Sequence, residues 1–296
     1  MVNELRRVTA QDGRVLGVAE WGDPAGRPVL GLHGTPGSRL NRPPDEAALR
    51  DAGLRLVTYD RPGYGASDRQ PGRQVVDCVP DVEAVADALS IGRFVVSGVS
   101  GGGPHALAVA ALLSDRVVTA ECSVGPAPVA VLGAEWTAGM DEENVREFGW
   151  AMQGEQTLHL ELSRQAEADL ARMADDPSKV FSDDWEFEEA DRVVLARTDM
   201  QQMLGEAWRE AFRDGVWGWV DDDLAVLEPW GFEVSQISGR VVVRYGEQDV
   251  MVPAAHGRWL AANVPGATVL VSQQAGHMKE PQTRIQELVD LAAALS

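Results

Sequence analysis

Short, largely apolar runs recur along the first third of the chain and are separated by segments with helical periodicity. Residues 28–33 and 54–59 are such runs, and each is followed by a segment rich in glycine and proline. Apolar runs of this length are typical of parallel strands that are buried on both faces. Residues 81–89 place apolar positions at helical spacing, which predicts a helix before the next apolar run at 94–96. The pattern therefore predicts βαβ units, with a parallel sheet covered by helices on both faces.

The N-terminal segment has a different pattern. Residues 6–9 and 14–20 are short runs of strand type, separated by Gln11-Asp12-Gly13. A turn that contains Asp-Gly between two such runs is typical of a β-hairpin. We therefore expect two antiparallel strands before the parallel strands begin.

The alternation of strands and helices stops after a sixth strand, predicted at residues 117–124. From about residue 127 to 234, the chain shows acidic stretches of helical type, at residues 140–151, 157–173 and 199–212. Strands and helices then alternate again, at residues 240–245, 253–262, 267–271 and 282–294. We interpret residues 1–126 and 236–296 as one α/β core domain, and residues 127–235 as an inserted all-helical domain.

Negative charge is concentrated in the inserted segment. The chain of 296 residues carries a formal net charge of -20, from 46 Asp and Glu against 26 Lys and Arg. Residues 127–235 hold 26 of the acidic and 8 of the basic residues, a net of -18, which leaves 20 acidic and 18 basic residues elsewhere. A chain this acidic is repelled by phosphate, which argues against a nucleic-acid or membrane partner. We interpret the acidic segment as a solvated helical surface.

Composition places the chain among globular proteins. The apolar content is 45%, and no apolar run approaches the length that spans a membrane. Residues 1–7 lack the apolar core of a secretory signal, so a cytoplasmic protein is expected. Cys78 and Cys122 lie in segments assigned to different elements, and we interpret both as small core residues without a disulfide.

The candidate chemistry centres on Gly98-Val99-Ser100-Gly101-Gly102, between the apolar run at 94–96 and an Ala-rich helical segment. This stretch fits the G-x-S-x-G nucleophile elbow, a sharp turn between a strand and a helix. Such a turn forces the serine into a sparsely populated backbone region, and side chains two residues before and after it would collide. A glycine-rich turn with a solvated serine has the same pattern, but the flanking strand and helix favour Ser100 as a nucleophile.

A serine nucleophile needs a base for its proton, and a histidine base needs a carboxylate that fixes its tautomer. Functional loops of open α/β sheets follow the carboxyl ends of strands. His277 follows the strand predicted at 267–271, and Asp249 follows the strand predicted at 240–245. These two residues are therefore the candidate base and acid. Glu247 is the competing acid.

The remaining histidines and one further aspartate have structural interpretations. His33 is expected to brace the turn after its strand, and Asp60 the loop that follows it. His105 lies within a predicted helix and is assigned a packing or surface role, and His256 a structural one. For His159, in the acidic segment, we favour a solvated position, with a place in the pocket left open.

Negative charge on a carbonyl oxygen must be met by preorganised donors, usually two backbone amides. The N–H of Gly101, directly after Ser100 at a helix start, is one candidate. The second is expected from the turn after residues 28–33, and we assign it to Thr35. The alternative is that Thr35 is only part of a tight turn.

Taken in order, these motifs resemble those of the α/β-hydrolase fold family over nearly the whole chain. The order Ser100, Asp249, His277 is the nucleophile, acid and base order of that fold. The motifs that carry the resemblance are His33-Gly34-Thr35-Pro36-Gly37, Asp60-Arg61-Pro62-Gly63-Tyr64-Gly65-Ala66-Ser67, Gly98-Val99-Ser100-Gly101-Gly102, Gly246-Glu247-Gln248-Asp249 and Gly276-His277. The resemblance implies an eight-stranded, mostly parallel sheet, a helical cap inserted after the sixth strand, and catalytic roles for the three residues.

We expect hydrolysis of a carboxylic ester, lactone or related small-molecule acyl compound through an acyl-enzyme on Ser100, with no metal and no organic cofactor. The cap is expected to form the roof of the pocket and to set substrate choice. A serine at the elbow excludes the haloalkane dehalogenases and epoxide hydrolases of this fold, which use aspartate there. The sequence does not determine the oligomeric state, and a homodimer is left open.

Two other functions stay open. The stretch His33-Gly34-Thr35-Pro36-Gly37 is close to the His-Gly-Gly-Pro-Gly of proline iminopeptidases, and an acidic cap could hold the free amine of a substrate. Two departures weaken this reading, because Thr35 replaces a glycine and Gly101 stands where that group has tryptophan. The other alternative is a non-hydrolytic member of the fold, a ligand receptor or a rearrangement catalyst. A complete triad argues against a pure receptor.

Overall fold

The computed structural model describes residues 5–176, 178–181, 185 and 187–295. Within these residues, eight strands form one sheet in the spatial order β1-β2-β4-β3-β5-β6-β7-β8. The strands are β1 (Arg6–Thr9), β2 (Val15–Gly22), β3 (Arg27–Leu32), β4 (Leu54–Tyr59), β5 (Phe94–Val99), β6 (Val117–Ser123), β7 (Val241–Gly246) and β8 (Thr268–Ser272). Residues 1–4, which belong to the segment considered for a secretory signal, lie outside the described residues.

Strand direction follows the sequence pattern. β2 pairs antiparallel with β1 and with β4, and the other neighbouring pairs are parallel. The predicted hairpin and the mostly parallel eight-stranded sheet are therefore confirmed. Leu32 at the end of β3 lies opposite Gly98 near the end of β5. The loops that follow these two strands consequently leave the sheet side by side at its carboxyl edge.

Helices cover both faces of the sheet. They are α1 (Glu46–Asp51), α2 (Cys78–Ala88), α3 (Gly102–Leu112), α4 (Val129–Leu132), α5 (Glu142–Ala151), α6 (Glu155–Asp175), α7 (Glu189–Leu195), α8 (Thr198–Ala211), α9 (Trp217–Leu227), α10 (Ala254–Asn263) and α11 (Pro281–Ala292). Leu107 of α3 packs with Val96 on one face, together with α2 and α10. Leu49 of α1 and Leu288 of α11 pack with Val95 on the other face. Consecutive strand residues point to opposite faces, which is why an uninterrupted apolar run suits this sheet.

Helices α4 to α9 lie between β6 and β7, and no strand occurs among the described residues of this stretch. The helices predicted at 140–151, 157–173 and 199–212 correspond to α5, α6 and α8, whereas α4, α7 and α9 were not predicted. Leu162 of α6, Met203 of α8 and Trp219 of α9 belong to a second apolar core, which Tyr64 joins from the loop after β4. This second core explains why the segment is rich in tryptophan despite its charge.

The interpretation of the acidic segment as a solvated surface is wrong for seven of its carboxylates. All seven are buried: Asp141, Glu147, Asp169, Asp191, Asp221, Asp222 and Asp223. A carboxylate tolerates burial only when it is paired or protonated. Arginines of the loop after β4 supply part of this compensation, because Arg61 and Arg73 pair with Asp222, and Arg69 with Asp221. The partners lie about 150 residues apart in sequence, so charge counting along the chain does not reveal them.

Two compositional expectations can be compared with the structure. Cys78 and Cys122 are free and buried, as expected for small core residues. Burial raises the pKa of the Cys122 thiol to about 12, so this thiol is protonated at neutral pH. No helix in the described part of the chain is both long and apolar enough to cross a membrane.

Substitutions on one helix should separate its buried and exposed faces. Leu107→Ala removes a side chain of α3 that is fully buried, so we expect the free energy of unfolding to fall by about 2–5 kcal/mol. Leu112, on the same helix, is 49% exposed, and Leu112→Ala should change this free energy by no more than about 0.5 kcal/mol. Urea unfolding followed by tryptophan fluorescence measures both, and equal losses would contradict the assignment of the core.

Candidate active site

The turn between β5 and α3 has the geometry of a nucleophile elbow. Ser100 has a φ of 54°, a left-handed conformation that is unusual for a residue other than glycine. A Cβ added to Gly98 would lie 2.1 Å from the carbonyl oxygen of Gly102, and one added to Gly102 would lie 2.3 Å from that of Leu32. Both contacts are impossible for a real Cβ. The predicted need for glycine two residues before and after Ser100 is therefore confirmed.

His277 and Asp249 are brought together from the loops after β8 and β7. The Nδ1 atom of His277 lies 2.9 Å from Oδ2 of Asp249. The other oxygen of Asp249 accepts the backbone N–H groups of Met251 and Val252, at 2.9 and 2.8 Å, which fixes the carboxylate. Glu247, the competing acid, instead pairs with Arg258, a residue exposed to solvent. The structure therefore favours Asp249 over Glu247 as the partner of His277.

The charges around His277 favour its protonated form. Burial disfavours an imidazolium, but the charge and hydrogen bond of Asp249, with a further contribution from Asp191, raise the pKa of His277 above its ordinary value. Lys279 acts in the opposite direction. An imidazole with a raised pKa is well suited to receive a proton from a neighbouring group.

The loop after β3 packs directly on the elbow. A Cβ added to Gly34 would lie 3.3 Å from the Cβ atom of Ser100. A Cβ added to Gly101 would lie 3.3 Å from the backbone nitrogen of Thr35 and 2.3 Å from its Oγ1. The structure thus brings Thr35, Ser100 and Gly101 together, and the oxyanion role of the Thr35 and Gly101 amides stays a prediction.

His33 braces this loop, as predicted. Its Nδ1 lies 2.7 Å from the carbonyl oxygen of Gly34, and its Nε2 accepts the backbone N–H of Arg61 at 3.2 Å. These partners require a proton on Nδ1 and none on Nε2. Burial and the charge of Arg61 hold the pKa of His33 well below its ordinary value, so the ring is neutral.

The other three histidines lie away from these loops or have structural partners. His105 is buried in α3, with Nδ1 2.9 Å from the carbonyl oxygen of Gly101. His256 accepts the N–H of Ala127 and contacts the carbonyl oxygen of Trp136. His159 is partly exposed and stacks on a tryptophan of α9, Trp217. The packing interpretations of His105 and His256 are therefore confirmed.

A cavity of about 230 Å³ lies between these loops and the inserted helices. Ser100, Thr35 and His277 border it. Its walls are largely apolar, with contributions from Phe181, Trp185, Met200, Met203, Leu204, Trp208, Trp219 and Met278. Part of the tryptophan and methionine content of the inserted segment therefore faces a cavity. Among the described residues, no group of three or more His, Cys, Asp or Glu could hold a metal ion.

The sequence profile of a family described as alpha/beta hydrolase fold matches residues 27–279, most of the chain. The chain belongs to the α/β-hydrolase fold family. The observed sheet order, the elbow after β5 and the helices between β6 and β7 agree with this assignment. The resemblance inferred from the motifs is therefore confirmed.

Individual relatives of this α/β hydrolase differ in name and in extent. The chain is 27% identical over 281 residues to the dihydrolipoyllysine-residue acetyltransferase component of an acetoin cleaving system from Pseudomonas putida. This match covers 93% of the chain and 65% of that protein. It is 27% identical over 232 residues to a pimeloyl-(acyl-carrier protein) methyl ester esterase from Nitrosomonas europaea. This match covers 76% of the chain and 78% of the esterase. The crystal structure of the enol-lactonase from Burkholderia xenovorans is similar with a TM-score of 0.64 at 20% sequence identity. The similarity covers 97% of this chain and 99% of the lactonase. The chain thus spans less than two thirds of the first protein, and the last similarity concerns the fold alone.

The hydrolase has a second, smaller cavity of about 50 Å³ behind the elbow. Ser100, Thr35 and Gly101 border it on one side, and Glu147 and Asp223 on the other. The last two carboxyl groups are buried and hydrogen-bonded to each other, and Trp219 donates its indole N–H to Glu147 at 3.0 Å. Burial raises the pKa of Glu147 to about 7, and burial with repulsion from Glu147 raises that of Asp223. We conclude that the pair retains a shared proton at neutral pH.

Asp222 of α9 is the functional neighbour that sequence reasoning missed. Its Oδ2 atom accepts hydrogen bonds from the hydroxyl groups of Thr35 at 2.7 Å and Tyr64 at 3.0 Å. The same Oδ2 pairs with Arg61 at 2.5 Å, and Oδ1 pairs with Arg73 at 2.7 Å. Burial alone would raise the pKa of Asp222, but the charges of Arg61 and Arg73 hold it well below its ordinary value. The same Arg61 donates to the carbonyl oxygens of residues 33 and 34. The inserted segment is thereby tied to the loop that carries Thr35.

The run of three aspartates at 221–223 was a signal for this site, because three adjacent acids in a segment rich in tryptophan require compensation if the helix is buried. The sequence alone does not say which arginines provide it. Arg61 belongs to the motif at residues 60–67, and no local sequence pattern marks Arg73 as a partner of these aspartates.

Removal of the Asp222 charge should destabilise the hydrolase. Asp222→Asn leaves Arg61 and Arg73 without their shared carboxylate, so the free energy of unfolding at pH 7 should fall by about 3–5 kcal/mol. The pKa of Asp222 is lower in the folded than in the unfolded state, so the wild-type advantage is present above about pH 4 and lost as pH falls through the folded-state pKa.

The neighbouring Asp221→Asn is the control, because its partner Arg69 is 25% exposed. We expect this variant to lose about 1 kcal/mol or less. Urea unfolding of both variants at several pH values measures the difference, and equal losses for the two would contradict the central role of Asp222.

Proposed function

We propose that this α/β hydrolase cleaves a carboxylic ester, lactone or related acyl compound through an acyl-enzyme on Ser100. The observation that carries the proposal is the hydrogen bond of 2.9 Å between His277 and Asp249, with His277 on the same cavity as Ser100. A serine in an elbow, a histidine base and a fixed carboxylate are the components that nucleophilic acyl transfer requires.

In the first half of the reaction, His277 accepts the hydroxyl proton as the oxygen of Ser100 attacks the acyl carbon. Asp249 keeps the proton of the neutral ring on Nδ1, which leaves Nε2 free as the acceptor, and it stabilises the imidazolium that forms. The tetrahedral intermediate carries a negative oxygen, for which the N–H groups of Gly101 and Thr35 are the proposed donors. The C–O bond to the leaving group then breaks, and His277 returns the proton to the departing alkoxide.

In the second half, water replaces the leaving alcohol. His277 takes one proton from the water as its oxygen attacks the acyl carbon of the ester on Ser100. The bond to Ser100 breaks, the serine oxygen recovers a proton from His277, and the carboxylic acid leaves. The cycle needs no group beyond the substrate and water.

Residues 127–235 are proposed to act as the cap that selects the substrate. The apolar walls of the 230 Å³ cavity come largely from α8 and from residues near α7 and α9, which suits an apolar acyl or alcohol group. The names of the Nitrosomonas esterase and the Burkholderia enol-lactonase support esters and lactones as the substrate classes to test first.

Ser100→Ala tests the nucleophile. On p-nitrophenyl esters of short and medium chain length, kcat should fall by at least about 10³-fold, because no other group replaces the serine oxygen. A fluorophosphonate should add one label to the wild type by intact mass and none to Ser100→Ala. Ser97→Ala, buried in the strand that precedes Ser100, serves as the control and should keep the label. A wild type that neither turns over these esters, lactones or thioesters nor takes the label would refute the proposal.

One observation favours the aminopeptidase alternative. The pair Glu147 and Asp223 carries a shared negative charge beside the elbow, where it could meet the free amine of a substrate. The first proposal predicts a higher kcat/KM for p-nitrophenyl esters than for proline p-nitroanilide. The alternative instead predicts preferred turnover of the anilide, with a loss in Glu147→Gln that does not extend to esters. Glu142→Gln, at an exposed position of the same helix, is the matched control.

A further inference from the structure

A carboxylate from the inserted helices holds the loop that carries the candidate base. Asp191 of α7 is fully buried. Its Oδ2 accepts the backbone N–H of His277 at 2.9 Å, and its Oδ1 accepts the backbone N–H of Met278 at 2.7 Å. Both oxygens are thus used on two consecutive amides of one loop. A carboxylate that accepts two N–H groups in this way fixes the position and orientation of the backbone between them.

The residue before His277 is shaped for this contact. A Cβ added to Gly276 would lie 2.2 Å from Oδ2 of Asp191 and 2.5 Å from its carboxyl carbon. Gly276 does not have a positive φ, so its backbone conformation is open to other residues. Glycine is needed here for the close approach of the carboxylate and for no conformational reason.

The loop that carries the candidate acid is also held by the inserted segment. The backbone N–H of Asp141 donates to the carbonyl oxygen of Val250 at 2.7 Å, and the side-chain amide of Asn144 donates to that of Met251 at 3.0 Å. Val250 and Met251 directly follow Asp249. The segment between β6 and β7 therefore contacts both members of the hydrogen-bonded pair through the backbones that carry them.

We propose that Asp191 is a positioning residue that holds the His277 loop in register with Ser100 and couples the placement of the inserted helices to catalysis. The inference rests on the proposed function for its effect on rate. It does not rest on that function for its effect on the His277 ring, which can be measured without a substrate.

The ionic surroundings of His277 make the role measurable. The charged groups that act on the ring are Asp249 and Asp191, which raise its pKa, and Lys279, which lowers it. Asp191→Asn removes one negative charge and places an amide where two N–H groups need acceptors. The pKa of His277 should therefore fall in this variant, and the acid limb of the kcat/KM profile should move to lower pH than in the wild type.

Asp191→Asn is compared with Asp169→Asn, which changes a buried carboxylate of α6 that pairs with Arg172. We expect Asp191→Asn to lower kcat/KM for a p-nitrophenyl ester by about 10- to 100-fold, because a small displacement of the base is costly. Asp169→Asn should stay within about twofold of the wild type, with an unchanged acid limb. Equal rate losses in the two variants, or an unmoved acid limb in Asp191→Asn, would overturn the proposal.

A second variant keeps the charge and removes the fit. Gly276→Ala should displace the Asp191 carboxylate and lower kcat/KM. The double variant Asp191→Asn/Gly276→Ala should show a loss in kcat/KM smaller than the product of the two single losses, because both substitutions act on one contact. Independent losses that multiply would contradict the proposal. If Asp191→Asn folds poorly, Gly276→Ala alone tests the contact, and a kcat/KM equal to that of the wild type would overturn the proposal.

Failure of the proposed function would be recognised separately. Titration of the histidine ring signals by NMR follows His277 in the wild type and in Asp191→Asn without any substrate. A wild type that takes no fluorophosphonate label, with a His277 pKa that still falls in Asp191→Asn, would refute the hydrolase mechanism and retain the contact. An unchanged His277 pKa would overturn the positioning role itself.

Discussion

The buried ion pair between Arg61 and Asp222 is the interaction on which the arrangement of the site depends. Two fully buried charges are costly unless each is met by its partner and by further hydrogen bonds. Asp222 meets this condition with Arg73, Thr35 and Tyr64, and Arg61 meets it with the carbonyl oxygens of the loop after β3. The pair therefore orients the loop of the sheet domain that packs on the elbow, and it does so from a helix of the inserted segment.

Strands and inserted helices also make separate contributions at the candidate base and acid. The strands place the candidate residues at the carboxyl edge of the sheet, as parallel strands do in general. The inserted helices then hold the loops, through Asp191 at the His277 loop and through residues 141 and 144 at the Asp249 loop. Asp191 and, at the loop after β3, Asp222 hold their loops through buried carboxylates, where a solvated surface was expected. Burial shields them from water, so each contact defines the position of its loop more strongly than an exposed pair would.

The sheet could be predicted from the sequence because each strand has its own local pattern of apolar residues. Largely apolar runs at 28–33 and 54–59 correspond to β3 and β4, and the glycines on either side of Ser100 correspond to two positions where no Cβ fits. The pairing of His277 with Asp249 could also be anticipated, since both follow strands and stand in the expected order. Helix α9 was missed because its aspartates break the amphipathic pattern that marks a surface helix.

The sequence by itself determined the eight strands, the place of the inserted helices, the elbow at Ser100 and the candidates at its neighbouring loops. These features depend on periodicity and on residues close together in the chain. Only the tertiary structure decided that Asp222 meets Arg61 and Arg73, that Glu147 is buried beside Asp223, and that Asp191 accepts the backbone N–H of His277. A buried charge is stabilised by whichever partner the fold brings to it, and that partner can lie anywhere in the chain.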